Sequence, residues 1–411
     1  MIKNFNFVEC KKCLYTSLHP LGINFNEDGI CSGCQVHEEK NNLNWSARLN
    51  KLRQILKPYK SKKNNYDCIV PITGAQDSYF ILHTVKNILG LNPILVNYNK
   101  YYNTPLGIHN LSNLRIKFDA DIIFKNVNPI VVKKITKATL EKFGSVYWHC
   151  LAGHTVLPVQ VASQMKIPLI IWGEHQGLQQ VGMFSHLNEV EMTRRYRKDH
   201  DLMGYEPEDL IKEDDFLNES DLHHYIYPDQ NTINKIGIRG IYLGNYLRWD
   251  PKAQHEKMIK IYNYKSAKHS RTFDTYDYVD SYVYMGVHDI LKYYKNGYSK
   301  VTDHACREIR YGRLTKIQAV NLVKKYQIKP DIFMNLFSKW LNTDLKSLKF
   351  ILNENRSKKI WHEKKPNTWK KKYFNFRDIP IKTKRSNLKF IANNKINYNE
   401  KDQYIIFGKG I

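Results

Sequence analysis

Short apolar runs alternate with amphipathic segments over residues 65–172 of the chain. Four of these runs have the length and composition of strands buried on both faces, at residues 68–72, 93–96, 121–124 and 168–172. The segments between them have the apolar spacing of helices, at residues 79–89, 105–118, 129–143 and 157–165. Because strands and helices that alternate in this way form βαβ units, the pattern predicts an α/β fold with a parallel sheet flanked by helices.

The rest of the chain differs in character from this alternating part. Residues 205–265 are turn-rich and complete the α/β domain, whereas residues 266–355 have largely helical spacing. The sequence therefore predicts five regions, which are a cysteine-containing module at 1–40, a helical linker at 41–64, the α/β domain at 65–265, a helical region at 266–355 and a basic tail at 356–411.

Four of the seven cysteines predict a metal site in the first region. Cys10, Cys13, Cys31 and Cys34 form two C-x2-C pairs with seventeen residues between them, which is the spacing of a structural zinc site. Gly33 suits the tight turn of the second pair. Two disulfides and an iron centre are the alternatives, of which disulfides are disfavoured in the cytoplasm. We expect a zinc-ribbon-like module that binds Zn²⁺.

Composition places the chain among globular proteins, with 42% apolar and 25% charged residues. No apolar run approaches the roughly 20 residues of a membrane helix, and the first residues lack a signal-peptide core. We therefore expect a cytoplasmic protein without membrane insertion. The formal net charge is +25, but thirteen Lys and Arg residues lie between residues 356 and 389. This stretch is interpreted as a solvated tail, with a phosphate-attracting surface as the alternative.

The segment TGAQDS, residues 73–78, follows the first predicted strand and precedes an amphipathic helix. A small-residue loop in this place presents backbone N–H groups at the positive end of the helix dipole, which predicts a phosphate site. The loop matches neither the G-x4-GK[ST] nor the G-x-G-x-x-G pattern. An ordinary strand-to-helix turn is the alternative interpretation.

TGAQDS resembles the S-G-G-x-D-S/T signature of the PP-loop ATP pyrophosphatases, which cleave ATP between the α and β phosphates. The resemblance implies a fold like that of the adenine nucleotide alpha hydrolases, with ATP and Mg²⁺ as ligands. Ala75 replaces the second glycine of the signature, which would be costly if that position requires a positive φ. The implied ATP-binding residues are Thr73, Gly74, Ala75, Gln76, Asp77, Ser78, Asn97 and Gly173.

Further motifs extend the resemblance over most of the chain. CKKC…INFNEDGICSGC, IPLIIWGEHQGLQQVGMFS, GIRGIYLGNYLRWDP, GYSKVTDHACREIRYGRLT and KKIWHEKKPNTWKK together resemble the N-acetyl sugar amidotransferases. The family implies ATP-dependent conversion of an acetamido group of a sugar or sugar nucleotide to an acetamidino group, in bacterial surface glycan or nonulosonic (pseudaminic-type) acid biosynthesis. Because no glutaminase signature is present, ammonia would come from glutaminase and cyclase-like partner subunits or from solution.

The motifs suggest site residues for this reaction. Asp77, Ser78, Glu174 and His175 are the catalytic candidates, with Glu174 on Mg²⁺ or the intermediate and His175 moving a proton; a capping Glu and a packed His are the alternative. The substrate-binding candidates are Arg239, Asn245, Asp303, His304, Arg307 and Arg310, where a salt-bridged surface helix is the alternative for the last four.

Other interpretations remain open at the level of sequence. His149, Cys150 and His154 could form a second metal site or a nucleophile pair, although a lining role near the nucleotide is favoured. The main rival function is a PP-loop tRNA-modifying enzyme, but its usual second cysteine pair is missing, so nucleic acid is not expected as a partner. A scaffold that has lost ATP turnover is the third possibility.

Overall fold

A computed structural model of the chain describes residues 7–61, 65–213, 216–268, 270–277, 279–327, 331–366 and 368–372. Its centre is a five-stranded, entirely parallel sheet in the order β3-β2-β1-β4-β5. The strands are β1 (Cys68–Pro71), β2 (Pro93–Tyr98), β3 (Ile122–Lys125), β4 (Leu169–Trp172) and β5 (Arg239–Tyr242).

Strands β1 to β4 lie where the apolar runs predict them, with ends that differ by one or two residues. Strand β5 corrects the sequence prediction, because it falls in the stretch 205–265 that was expected to be turns. Its four residues, RGIY, pair with β4 from Leu169↔Arg239 to Trp172↔Tyr242. Such a short run containing a glycine has little strand signal of its own, and the neighbouring strand supplies its hydrogen bonds.

Helices surround the sheet and form the C-terminal region. In chain order they are α1 (Ser32–Asn42), α2 (Trp45–Leu56), α3 (Gln76–Leu82), α4 (Pro105–Phe118), α5 (Pro129–Phe143), α6 (Trp148–Met165), α7 (Gln176–Gln179), α8 (Arg194–Tyr196), α9 (Pro207–Glu213), α10 (Glu219–Leu222), α11 (Gln230–Ile236), α12 (Pro251–Tyr262), α13 (Tyr282–Asn296), α14 (Lys300–Arg310), α15 (Lys316–Tyr326), α16 (Asp331–Leu341) and α17 (Leu345–Glu354).

Two of the predicted helices begin earlier than expected. The helix predicted at 79–89 starts at Gln76 as α3 and continues as a π-helical turn, His83–Ile88. The helix predicted at 157–165 starts at Trp148 as α6, and Pro158 lies inside it. Proline usually marks the first turn of a helix, so the sequence pattern placed the start of α6 too late.

Strands β1, β2 and β4 are buried on both faces, as their near-continuous apolar sequences require, whereas the edge strand β3 is partly exposed. On one face, Val70, Leu95 and Leu169 pack in a core with residues of α2, α3, α4 and α12. On the other face, Ile69 and Ile170 pack in a core with residues of α5 and α6. The α/β architecture predicted from sequence is therefore present.

The C-terminal helices form two further apolar clusters. Helices α13, α16 and α17 pack around Phe337 against the end of α5 and the start of α6. Helices α14 and α15 pack on the four cysteines and Tyr15.

Part of the predicted basic tail is folded. An antiparallel hairpin, β6 (Trp361–Lys365) and β7 (Thr368–Lys371), lies within it. The guanidinium of Arg356 lies 3.3 Å from the ring centroid of Tyr294 and 4.6 Å from that of Trp361, which attaches this segment to α13. The remainder of the predicted tail, from residue 373, lies outside the described residues.

Within the described ranges, no helix combines the length and the apolar character that crossing a lipid bilayer requires.

Candidate active site

The strand order reverses between β1 and β4, which lie next to each other at the centre of the sheet. In open parallel sheets, ligands bind outside the carboxyl ends of the strands at such a switch point. The loop TGAQDS follows β1, and Gly173 and Glu174 follow β4. Two motifs that are about one hundred residues apart in the sequence therefore meet at the expected ligand position.

A cavity of about 400 Å³ opens at this point, within the size range of ligand sites. Three parts of the chain line it. The sheet supplies Thr73, Ala75, Gln76, Asp77, Ser78, Gly173 and Glu174, the N-terminal module supplies Tyr15, His37 and Lys40, and the C-terminal region supplies Asp277, Lys300, Asp303, His304, Arg307 and Arg310.

The loop is held open by its own side chains. The Ser78 hydroxyl accepts hydrogen bonds from the N–H groups of Thr73, at 2.9 Å, and Gly74, at 3.3 Å. Gly74 has φ +83°, and a Cβ there would lie 2.9 Å from the Cβ of Leu111. Ala75 has φ −74° and ψ 171°, so the condition under which alanine would be costly is not met. The N–H of Ser78 donates to the carbonyl of Ala75 at 3.0 Å, and the N–H of Ala75 donates to the Thr73 hydroxyl at 3.2 Å. The N–H groups of Gln76 and Asp77, which have no carbonyl partner within α3, remain for a ligand.

Two carboxyl groups, those of Asp77 and Glu174, line the cavity beside this loop. Burial raises the pKa of Asp77 to about 7, and the negative charge of Glu174 adds to the shift. Burial also raises the pKa of Glu174, while the charge of Lys40 opposes the rise. Within the described part of the chain, Oδ1 of Asp77 and the buried Oε1 of Gln76 have no hydrogen-bond partner. Such a group of oxygens fits Mg²⁺, which prefers carboxylate and carbonyl ligands.

Lys40 is a cavity residue that the sequence did not indicate. Its Nζ donates to the carbonyl of Trp249 at 3.1 Å, to the hydroxyl of Tyr311 at 3.2 Å and to the side chain of Gln179. Burial lowers its pKa to about 7, and Glu174 limits the shift. Because Gln179 is 139 residues away, no local motif could have identified this lysine.

The predicted substrate residues of α14 lie in the cavity wall, with side chains bonded to the protein. Asp303 accepts from the Tyr15 hydroxyl at 2.8 Å and pairs with Lys292. Burial alone would raise the pKa of Asp303, but Lys292 and Lys300 hold it below its ordinary value. These bonds fix the wall. Lys300, which also lines the cavity, lies 4.0 Å from a carboxylate oxygen of Asp277.

His304 and Arg307 have partners from the segment before α13. The Nδ1 of His304 lies 2.7 Å from the Thr272 hydroxyl, and its Nε2 lies 3.1 Å from a carboxylate oxygen of Asp277. Arg307 donates to Asp274 at 2.6 Å. Asp277, which was not among the candidates, is thus held at the cavity by His304.

Three of the predicted catalytic and substrate-binding residues do not reach the cavity. His175 is only 1% exposed, and its ring packs on the rings of Tyr196 and Tyr242, at 4.4 and 4.7 Å between centroids. Burial lowers the pKa of His175 to about 3. The packed-histidine alternative therefore describes its position, and the structure does not place it where it could move a substrate proton.

Arg239 and Asn245 also have structural positions. Arg239 begins β5, so it lies at the amino edge of the sheet, where it donates to Glu191 and to the Tyr59 hydroxyl. Asn245 is fully buried and donates to the carbonyl of Val190 at 2.8 Å. The motif that contains both residues forms β5, which pairs with β4, and the turn after it. Its polar groups stabilise this strand and this turn.

Of the remaining candidates, Asn97, Cys150 and His154 line a cavity, whereas His149 lines neither. Asn97 donates to the carbonyl of Ile72 and lines a second cavity of about 220 Å³, which shares Thr73 and Lys100 with the first. Cys150 and His154, on α6, line the first cavity. His149 is buried beside the Tyr98 hydroxyl, at 3.2 Å.

The four cysteines of the N-terminal module form a buried cluster. Their sulfur atoms all lie within 4.8 Å of one another, and two of the pairs are 4.0 Å (Cys10 and Cys34) and 3.6 Å (Cys13 and Cys31) apart. A tetrahedral site with Zn–S bonds of about 2.3 Å requires sulfur atoms about 3.8 Å apart, so the cluster fits zinc. Among the described residues, no other group of three or more potential ligands is this close together.

The comparison with known families concerns the C-terminal region. Residues 270–374 match the family model described as LPS biosynthesis protein WbpG-like, C-terminal domain. Among curated proteins, none matches the chain significantly. The matched residues include the cavity-lining part of α14. The C-terminal region is thus similar to a domain of lipopolysaccharide biosynthesis proteins, which supports a role for the chain in lipopolysaccharide or related glycan biosynthesis.

Proposed function

We propose that the chain is an ATP-dependent amidotransferase that converts the acetamido group of a sugar to an acetamidino group. The observation that carries the proposal is a single cavity that joins the TGAQDS loop, Glu174 and helix α14. The loop supports ATP chemistry, while α14 belongs to the region similar to lipopolysaccharide biosynthesis proteins. An enzyme that activates a glycan precursor with ATP requires both parts in one site.

The first step is activation of the amide. The amide oxygen attacks the α-phosphorus of ATP, the bond from that phosphorus to the bridging oxygen breaks, and pyrophosphate leaves with the electron pair. The N–H groups of Gln76 and Asp77 would bind the β and γ phosphates at the start of α3, in the loop geometry that the Ser78 hydroxyl fixes. Asp77 would hold Mg²⁺, which supplies positive charge to the phosphates when bound.

The second step replaces the activated oxygen with nitrogen. Ammonia adds to the carbon of the adenylated amide, the carbon–oxygen bond to AMP breaks, and a proton is released. Glu174 is the better placed acceptor for that proton, since it lines the cavity with a raised pKa whereas His175 is enclosed by aromatic rings. Ammonia would come from solution or from glutaminase and cyclase-like partner subunits.

The lining of the two cavities suggests how two substrates share the site. The second cavity lies beside Thr73 and is lined by Asn97, Asn99 and Asn103, whose amide groups suit the nucleoside of ATP. Lys300 and Arg307 border the first cavity on the side of α14. Cations there would bind the phosphates of a nucleotide-linked acetamido sugar.

The test is mass spectrometry of reactions that contain ATP, Mg²⁺, ammonium and a panel of UDP- and CMP-linked acetamido sugars. We expect AMP together with replacement of one carbonyl oxygen by NH. Glu174→Gln should abolish the product, while Glu219→Gln, at an exposed position on α10, should leave it unchanged.

Other outcomes would overturn the proposal. Pyrophosphate release that depends on added tRNA, with no product from any sugar, would identify a tRNA-modifying enzyme. ATP binding with no pyrophosphate release, even after glutaminase and cyclase-like subunits are added, would identify a non-catalytic scaffold.

A further inference from the structure

The four-cysteine module is packed directly on the segment that follows Glu174. The second cysteine pair begins α1, and the Ser32 hydroxyl there donates to the carbonyl of Val181 at 2.6 Å. The contact leaves no space for side chains. A Cβ at Gly33 would lie 2.5 Å from the carbonyl oxygen of Gln180, and a Cβ at Gly182 would lie 2.3 Å from that of Ser32.

Arg310, from α14, connects the metal ligands to this segment. Its guanidinium donates to the carbonyls of Gln179, at 3.1 Å, and Gln180, at 2.8 Å, and also lies 3.8 Å from Sγ of Cys31. The same guanidinium would be 2.3 Å from a Cβ at Gly33. Arg310 is 7% exposed and borders the cavity, so one buried cation contacts a metal ligand, the cavity and the segment after Glu174.

Lys40 makes a second connection from the opposite part of α1. The helix begins next to Cys31 and reaches the cavity at Lys40, which holds the side chain of Gln179 and the carbonyl of Trp249. Gln179 is therefore fixed from both sides, by Lys40 through its side chain and by Arg310 through its carbonyl.

We propose that Arg310 and Lys40 are positioning residues that couple the metal-bound cysteine module to the active-site cavity. Metal binding by the four cysteines fixes α1, and α1 together with Arg310 fixes residues 176–182 and thereby Glu174. The module is then a wall of the catalytic site as well as a folding unit. The expected effect on catalysis through Glu174 rests on the proposed function. The coupling between the cysteine module and residues 176–182 does not depend on that function.

Gly33→Ala tests the coupling without removing a metal ligand. We expect the variant to retain its zinc, measured by metal analysis of the purified full chain. Amide hydrogen exchange over residues 176–182 should be roughly tenfold faster, because the loss of a hydrogen bond to a charged group changes the local opening equilibrium by about that factor. Glu27→Ala, at an exposed position in the same module, is the control and should leave both the zinc content and the exchange over residues 176–182 unchanged.

Arg310→Lys is the second variant and applies even if Gly33→Ala fails to fold. It keeps the charge but removes the planar fork that binds two carbonyls. We expect faster exchange over residues 176–182 and a lower kcat. The affinity for α,β-methylene-ATP should be unchanged, because the TGAQDS loop, which would bind the analogue, follows β1 and not β4. Unchanged exchange over residues 176–182 in either folded, zinc-containing variant would overturn the coupling. Failure of the wild-type chain to bind the ATP analogue would contradict the proposed function instead and leave the exchange result valid.

Discussion

Asp77 is the residue whose environment most clearly connects stability to function. It lies at the start of α3, within the TGAQDS loop, with one carboxylate oxygen that has no partner among the described residues. A carboxylate with a buried oxygen that lacks a hydrogen-bond partner destabilises the folded chain, and a bound cation would stabilise it. The structure therefore predicts a position at which stability is lowered in the absence of ligands.

The pKa of Asp77 gives this prediction a pH dependence. Its pKa is about 7 in the folded chain and 3.8 in the reference state, so the unfolded chain releases its proton first as the pH rises. Stability therefore falls between about pH 4 and pH 7. Without Mg²⁺ or nucleotide, Asp77→Asn should raise the free energy of unfolding by about 1–2 kcal/mol above pH 7, a value discounted for partial exposure, and by much less near pH 4.

Denaturant titrations of both proteins at the two pH values measure this difference. A stability difference that does not grow with pH would contradict the prediction. In the wild type, added Mg²⁺ should reduce the difference, because the cation compensates the charge that asparagine removes.

Ser78 acts through the shape of the loop. Ser78→Ala removes the acceptor of the Thr73 and Gly74 N–H groups, each bond contributing about 1 kcal/mol. We expect a loss of ATP affinity of roughly tenfold or more, measured by titration with α,β-methylene-ATP. Ser163→Ala, on α6 at a position that lines neither cavity, is the control, and equal affinity of the two variants would show that the Ser78 hydroxyl does not shape the ATP site.

At this scale, local sequence identified the residues whose function depends on neighbours in the chain. The loop at residues 73–78 and the four cysteines are examples, because a turn and a metal knuckle are built from adjacent residues. The sequence did not indicate Lys40 as a cavity residue, and it suggested a site position for His175, because neither position depends on neighbours in the chain. Whether a side chain at the end of a strand faces a cavity or an aromatic cluster depends on contacts with distant segments.

At the scale of elements, the close approach of α6 to β2 positions the strand end that borders both cavities. A Cβ at Gly153 would lie 2.3 Å from the ring of Tyr98. Tyr98 lines both cavities and lies 2.7 Å from the hydroxyl of Tyr225. The glycine therefore allows the tyrosine to lie between the helix and the ligand sites.

Gly153→Ala tests this arrangement. Alanine favours helix formation by up to about 1 kcal/mol, but overpacking against a fixed ring costs about 1–3 kcal/mol, so we expect net destabilisation in thermal or denaturant unfolding. Gln164→Ala, at an exposed position on the same helix, should change stability little. A Gly153→Ala variant that is more stable than the wild type would show that α6 can move away from β2 without cost.

Elements with a strong pattern of their own were predictable, and elements formed by pairing were not. Strands β1 to β4 are continuous apolar runs, and their parallel arrangement follows from the helices between them. Strand β5 has the same length as β1, β3 and β4, but it begins with Arg239 and contains a glycine, so it becomes a strand through its register with β4. The hairpin of β6 and β7 has a charged composition typical of a tail, and its order depends on contacts of Trp361 and Arg356 with Tyr294.

At the scale of the whole molecule, the cavity exists only when three separate parts of the chain come together. The sheet contributes the TGAQDS loop, the N-terminal module contributes Lys40, and α14 contributes Lys300 and Arg307. Under the proposed function, this arrangement divides the work between ATP on the sheet side and the sugar substrate on the side of α14. Because the two sides are separate surfaces, substitutions on each side should change the binding of different substrates.

Lys300→Met is the substitution that tests this division. Once a nucleotide-linked acetamido sugar is identified as a substrate, the variant should raise the KM for that sugar roughly tenfold, since it removes a cation from the phosphate side, and should leave the KM for ATP unchanged. Lys324→Met, on the exposed side of α15, is the charge-matched control. Ser78→Ala should show the reverse pattern. If Lys300→Met instead raises the KM for ATP and not that for the sugar, then α14 binds the nucleotide, and the assignment of the two sides must be exchanged.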